Sequence, residues 1–79
     1  MPEVTIRYFA AARAAAGEST ATAHAGSVKE LVDTVGAGRP ELARVLGICT
    51  FLADGERVEL TSELEDGAVV DALPPFAGG

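Results

Sequence analysis

Ser27-Val28-Lys29-Glu30-Leu31-Val32-Asp33-Thr34-Val35-Gly36 is the stretch from which the fold is read. Ser27 and Glu30 fit the reciprocal capping box that opens a helix, and Val28, Leu31, Val32 and Val35 recur at i, i+3, i+4 and i+7. The spacing predicts one helix with one buried stripe, ended by Gly36-Ala37-Gly38. On its N-terminal side, Val4, Ile6 and Tyr8 alternate with Thr5, Arg7 and Phe9, the period of two expected of a half-buried strand. The 4-6-8 face is apolar. Phe9 is the exception, a large apolar side chain on the more polar face where the strand stops. Ala10 to Ala16, all alanine apart from Arg13, reads as a short helix stopped by Gly17. From Ser19 to Ala25, Thr20, Thr22 and His24 share one side and Ala21 and Ala23 the other, which fits a hairpin partner for the first strand.

On its C-terminal side, Pro40 opens a shorter helix carrying Leu42, Val45 and Leu46, and Gly47 ends it. Ile48 to Ala53 reads as a buried strand. Asp54-Gly55 is a two-residue hairpin signal, and the return strand carries Val58 and Leu60. Leu64 plugs the core from a one-turn helix, and Asp66-Gly67 makes the last turn. Ala68 to Leu73 is a final strand whose near-continuous apolar run suggests a central position covered on at least one face. The order strand, strand, helix, helix, strand, strand, strand predicts an α+β protein. The arrangement is a β-grasp, ubiquitin-like roll: a mixed sheet of about five strands with one main helix and short extra helices. A ferredoxin-like split βαβ needs a second full helix after Ala53, and no segment there fits one. The expected organisation is a domain over residues 1–73 and an extended tail over 74–79.

Composition narrows the function. The chain has 79 residues, six Lys plus Arg against twelve Asp plus Glu, a net charge of −6, 48% hydrophobic and 23% charged residues. That is too apolar for disorder, yet no apolar run approaches the ~20 residues of a membrane span. A chain this small buries roughly 60% of its unfolded surface, which leaves little room for a deep internal active site. With Cys49 alone there is no intramolecular disulfide, and the first residues lack the basic and apolar regions of a signal peptide, so a cytoplasmic location is expected. The acidic balance argues against binding a phosphate backbone and suggests partners with basic surfaces.

A catalytic set is hard to assemble. One His and one Cys with no partner pattern give neither a metal site nor a nucleophile-base pair. His24 reads as a surface residue and Cys49, amid Ile48, Phe51 and Leu52, as inert core. Glu63, Glu65 and Asp66 read as a solvated turn, and Gly36-Ala37-Gly38 as a helix stop rather than a phosphate loop.

The informative segment is Leu73-Pro74-Pro75-Phe76-Ala77-Gly78-Gly79. Two prolines end the strand and hold the next residues extended. From Pro74 to Gly79 the chain reaches at most about 20 Å, at ~3.3 Å per extended residue, enough to enter another protein's cleft. Glycines without side chains pass a narrow channel and present an unhindered carboxylate. Such a carboxylate is ionised at neutral pH and is a poor electrophile until it is activated. Attaching AMP from ATP supplies a leaving group. Sulfur then gives a thiocarboxylate, and a lysine amine gives an isopeptide bond.

From Arg7-Tyr8-Phe9-Ala10, with Arg13 and Gly17 following, through Asp66-Gly67 to the Pro-Pro-x-x-Gly-Gly ending, the chain resembles the ubiquitin-like sulfur carriers of the MoaD/ThiS family. Within that family it is most similar to the small subunit of molybdopterin synthase. The resemblance implies that an E1-like adenylyltransferase of MoeB type, using ATP and Mg²⁺, adenylates Gly79, and that a sulfurtransferase supplies the sulfur. It implies no permanently bound cofactor, no metal site, and no nucleic-acid or membrane partner. The loaded tail then enters a MoaE-like large synthase subunit, which converts cyclic pyranopterin monophosphate to molybdopterin, with two small subunits on a dimer of large ones. By the same resemblance Gly79 is the sulfur carrier, Gly78, Ala77 and Phe76 are tail-passage residues, and Phe9, Leu73, Pro74 and Pro75 belong to the docking surface. The chain departs from the family in two places: Phe76 is bulkier than the usual aliphatic residue, and Arg57 stands where the docking patch is often apolar. The alternatives are a carrier for thiamine or cysteine synthesis, a protein modifier joined through Gly79, and a plain interaction domain.

Overall fold

The computed structural model describes residues 1–75. Its elements in chain order are β1 (Glu3–Tyr8), α1 (Ala10–Ala16), β2 (Thr20–His24), α2 (Val28–Gly36), α3 (Pro40–Leu46), β3 (Thr50–Ala53), β4 (Glu56–Val58) and β5 (Val69–Leu73). The sheet runs β2-β1-β5-β3-β4. β1 and β5 are parallel, while β1 with β2, β3 with β4 and β3 with β5 are antiparallel. The last strand therefore lies at the centre, as its apolar run predicts, and the mixed five-stranded roll with one main helix is the expected β-grasp.

One core accounts for the arrangement. Val4, Ile6 and Tyr8 of β1, Val70 and Ala72 of β5 and Phe51 of β3 are buried in one cluster with Val28 and Leu31 of α2, Leu42 and Leu46 of α3 and Ala12 of α1. Val32 and Val35 complete the predicted stripe of α2 as partly buried neighbours. The capping box forms with a small change of partner: Ser27 Oγ accepts from the Glu30 amide at 3.2 Å, and Glu30 Oε1 accepts from the Gly26 amide at 2.7 Å. At the other end of α2, Gly36 lets α3 approach closely, since a Cβ there would lie 3.2 Å from the Ala43 Cβ. The β3–β4 turn has positive φ at both central residues, 49° at Asp54 and 86° at Gly55, the geometry that matches the strand twist.

Three expected boundaries move. β3 begins at Thr50 rather than Ile48, because Gly47 stays right-handed and the α3 spiral continues, with Ile48 N–H donating to Val45 O and Cys49 N–H to Leu46 O. Ile48 is left exposed. β4 stops at Val58, so Leu60 is an exposed turn residue rather than a strand residue. The backbone there serves another element instead: Leu60 O and Ser62 O accept the Lys29 and Val28 amides, satisfying orphan donors at the start of α2. Leu64 is buried as expected, but it follows an isolated bridge between Ser27 and Glu63 and not a helical turn.

The core has one poorly served polar atom. Tyr8 is 2% exposed, and its hydroxyl has no hydrogen-bond partner among the described residues. A buried, unsatisfied hydroxyl costs about 1–3 kcal/mol. Tyr8→Phe is therefore expected to raise stability by about 1 kcal/mol, a melting-temperature gain of roughly 4–8 °C for a domain of this size. Leu31→Ala, which opens a cavity in the same core, should lower stability by about 2–5 kcal/mol. Thermal unfolding followed by circular dichroism checks both signs.

Candidate functional site

Alternation sends the other face of the strands away from the helices. The register aligns Thr20, Arg7, Asp71, Leu52 and Arg57 as one rung across all five strands. Arg7 fixes the middle of it. Its Nε and Nη2 donate to the two carboxylate oxygens of Asp71 at 2.6 and 2.9 Å, a paired fork that holds the guanidinium's pKa above its ordinary value. The same guanidinium lies 5.9 Å from the Phe9 ring centroid. Phe9 is 39% exposed, ahead of an Ala10 with φ of 52° that turns the chain from β1 into α1. Its side chain is thus outside the core, as the sequence exception suggested. Leu73, on the same open face as Asp71 by alternation, is half-buried, as is Pro74, and Pro75 is exposed.

Four of the expected docking residues, Phe9, Leu73, Pro74 and Pro75, are therefore at the surface where β1 and β5 end. The remaining expected residues, Phe76, Ala77, Gly78 and Gly79, lie outside the described residues. Sequence reading did not single out Arg7, Asp71, Leu52 or Val69 on this face. Alternation within each strand marks them as candidates, but only the pairing of β1 with β5 puts Arg7 beside Asp71.

Other titratable groups serve structure. Asp66 Oδ1 accepts from the Glu3 amide at 2.9 Å and Asp54 Oδ1 from the Val69 amide at 3.3 Å, so two carboxylates at the end of the sheet remote from Leu73 brace turns. His24 is exposed. Cys49 is half-buried, donates its S–H to Val45 O at 3.3 Å, and has its pKa pushed by burial from 9.0 to about 11. It borders a concavity of about 150 Å³ lined by Val32, Leu46, Phe51 and Val58, smaller than the ~300–1,000 Å³ of ordinary ligand pockets. Because the thiolate is the reactive form, iodoacetamide should label Cys49 about 100-fold more slowly in the folded than in the unfolded chain at pH 8. The folded-state rate should climb about tenfold per pH unit until about pH 11; labelling timed by mass spectrometry measures this.

Comparison with known proteins agrees with this geometry. The ThiS family model matches residues 6–79. No curated protein sequence matches the chain. Among solved structures, small archaeal modifier protein 1 from Methanosarcina acetivorans is 25% identical with a TM-score of 0.88, covering 100% of this chain and 98% of that one. The SAMP1 structure from Haloferax volcanii is 24% identical with a TM-score of 0.84 over 98% of this chain and 99% of that one, a likeness of fold. The complex of subunits 1 and 2 of molybdopterin-converting factor from Helicobacter pylori contains a chain 28% identical with a TM-score of 0.72, covering 98% of this chain and 99% of that one. With a family model that takes in the end of the first strand, the Arg7–Asp71 face and the Gly-Gly segment alike, the chain belongs to the ThiS family and is a β-grasp protein of sulfur-carrier or small-modifier type.

Proposed function

We propose that the chain is the sulfur-carrying small subunit of a molybdopterin synthase. The observation that carries this reading is the course of β5: the central strand ends at Leu73, opposite Thr50 and one residue beyond the Tyr8–Ala72 pair, and the sequence runs on through Pro74-Pro75 to the Gly-Gly segment. In support, the Helicobacter pylori neighbour is seen with the second subunit of molybdopterin-converting factor. The domain over residues 1–73 then acts as a handle and residues 74–79 as the arm. Its open face docks on the partner through Phe9 and Leu73, and the prolines stiffen the passage of Phe76, Ala77 and Gly78.

The chemistry resides at Gly79. Its carboxylate oxygen attacks the α-phosphorus of ATP in an E1-like activating enzyme holding Mg²⁺, pyrophosphate leaves, and an acyl adenylate forms. A sulfur nucleophile provided by a sulfurtransferase then attacks the carbonyl carbon and AMP leaves. Where that nucleophile is a persulfide the product is an acyl disulfide; a second thiol attacks the donor's sulfur, the S–S bond breaks, a new disulfide forms on the donor side, and the thiocarboxylate left on Gly79 is consumed by the large subunit as it sulfurates a pterin precursor. Nothing in this sequence needs an acid, base or metal on the carrier itself.

Incubation with an activating enzyme, ATP and a sulfur donor is expected to raise the intact mass by the replacement of one oxygen by sulfur. An unchanged mass across the candidate activating enzymes overturns the reading. Phe9→Ala should cost no more than about 1 kcal/mol of stability, since the ring is partly outside the core, yet weaken docking to the large subunit by about tenfold. A second reading, favoured by the likeness to the archaeal modifier proteins, joins Gly79 to lysine amines through the same adenylate. Denaturing gels of cells producing a tagged chain would then show higher-mass conjugates that vanish on deletion of Gly78 and Gly79.

A further inference from the structure

The face that carries the docking residues is not charged as the whole chain is. Against a net charge of −6, its central rung holds two guanidiniums and one carboxylate. Arg7 is taken up by Asp71. Arg57, at the far end of the rung on β4, has no carboxylate within ion-pair distance among the described residues; Lys29, Arg39 and Arg44 each have one, and the other unpaired cation, Arg13, belongs to α1 rather than to this face. Its strand neighbour Glu56 gives no relief, because alternation sends it to the opposite face: Arg57 pairs with Leu52 and Glu56 with Ala53.

Arg57 cannot be left out of an interface centred on Leu73. Two strand steps of about 4.8 Å separate β4 from β5, so Arg57 stands roughly 10 Å across the sheet from Asp71. A standard interface covers about 800 Å² of each partner, a patch wider than that separation. Arg57 therefore falls inside the covered patch and gives up part of its hydration when the face docks. An unpaired guanidinium loses its hydration with no return, whereas one that meets a carboxylate in the same dry setting gains a short, directional bond.

We propose that Arg57 is a specificity-determining residue of this face, selecting a partner protein that sets a carboxylate, flanked by apolar side chains, opposite β4. The preference runs against that suggested by the net charge, which points to a basic partner. The inference rests on the sulfur-carrier reading of the same face and adds the chemistry of the surface it meets.

The test is calorimetric binding of the full chain to the purified large subunit of molybdopterin-converting factor from the same organism, at low and high salt, with thiocarboxylate formation followed in parallel by mass. Arg57→Ala is expected to weaken binding about tenfold and Arg57→Glu more, with the alanine variant losing less affinity as salt rises. Melting temperatures should stay close to the parent, because Arg57 is exposed on a short edge strand. Both variants binding within twofold of the parent at both salts overturns the role of Arg57 and leaves the carrier reading standing. A parent chain that takes up sulfur but does not bind the large subunit overturns this inference and the pterin pathway together. A parent chain that does neither overturns the carrier reading as a whole.

Discussion

The parallel pairing of β1 with β5 is the constraint on which the other features depend. Parallel neighbours cannot be joined by a tight turn, so both helices of the central crossover and the β3–β4 hairpin must be accommodated between them. α2 and α3 fill one face of the sheet, which dries it, and the other face is left without a helix. The same pairing puts Arg7 beside Asp71 and ends β1 and β5 together. The Arg7–Asp71 fork and the point where the chain leaves the sheet at Leu73 are thus products of one register.

The core that this register closes is small, and the concavity beside Cys49 holds only about 150 Å³. Burying a reactive group needs a core large enough to surround it, and this core is filled by the side chains that join the helices to one face of the sheet. What the domain must supply is a rigid surface of defined shape, and the Arg7 fork across β1 and β5, with Phe9 stacked near it, provides rigidity where a polar side chain would otherwise be mobile.

Much of this was legible in the residues because the governing interactions are local. The Ser27–Glu30 box, the stripe of α2, the Asp54-Gly55 turn and the alternation of β1 each lie within a few residues, and each appears in the structure. The errors occurred where a distant element competes for the same backbone. Leu60 looks like a strand residue by its own side chain, but its carbonyl is committed to the amide of Lys29. Ile48 looks buried by hydrophobicity, but the α3 spiral runs on past Gly47 and turns it outward. The open face was half legible: Phe9 announced itself by breaking the pattern, and the Gly-Gly ending by its composition. Arg7 and Asp71 carry no such mark, since their partnership spans a separation of 64 residues. Whole-chain charge does not resolve this face, because it averages over a surface on which the acidic turns and the Arg7–Asp71–Arg57 rung lie apart.

Tyr8, buried against the helices, and Ala72, its partner across the central pairing, come from opposite ends of the chain. The sheet is thus divided until its last strand arrives: β1 with β2 on one side, β3 with β4 on the other, and an open seam between them. Closing that seam is a long-range step, slow relative to the helices and the hairpins, and on the ribosome it must wait for Val69–Leu73 to be made. A chain that stops short of Val69 therefore holds its sheet in two halves, with the positions that Val70 and Ala72 fill in the core left open.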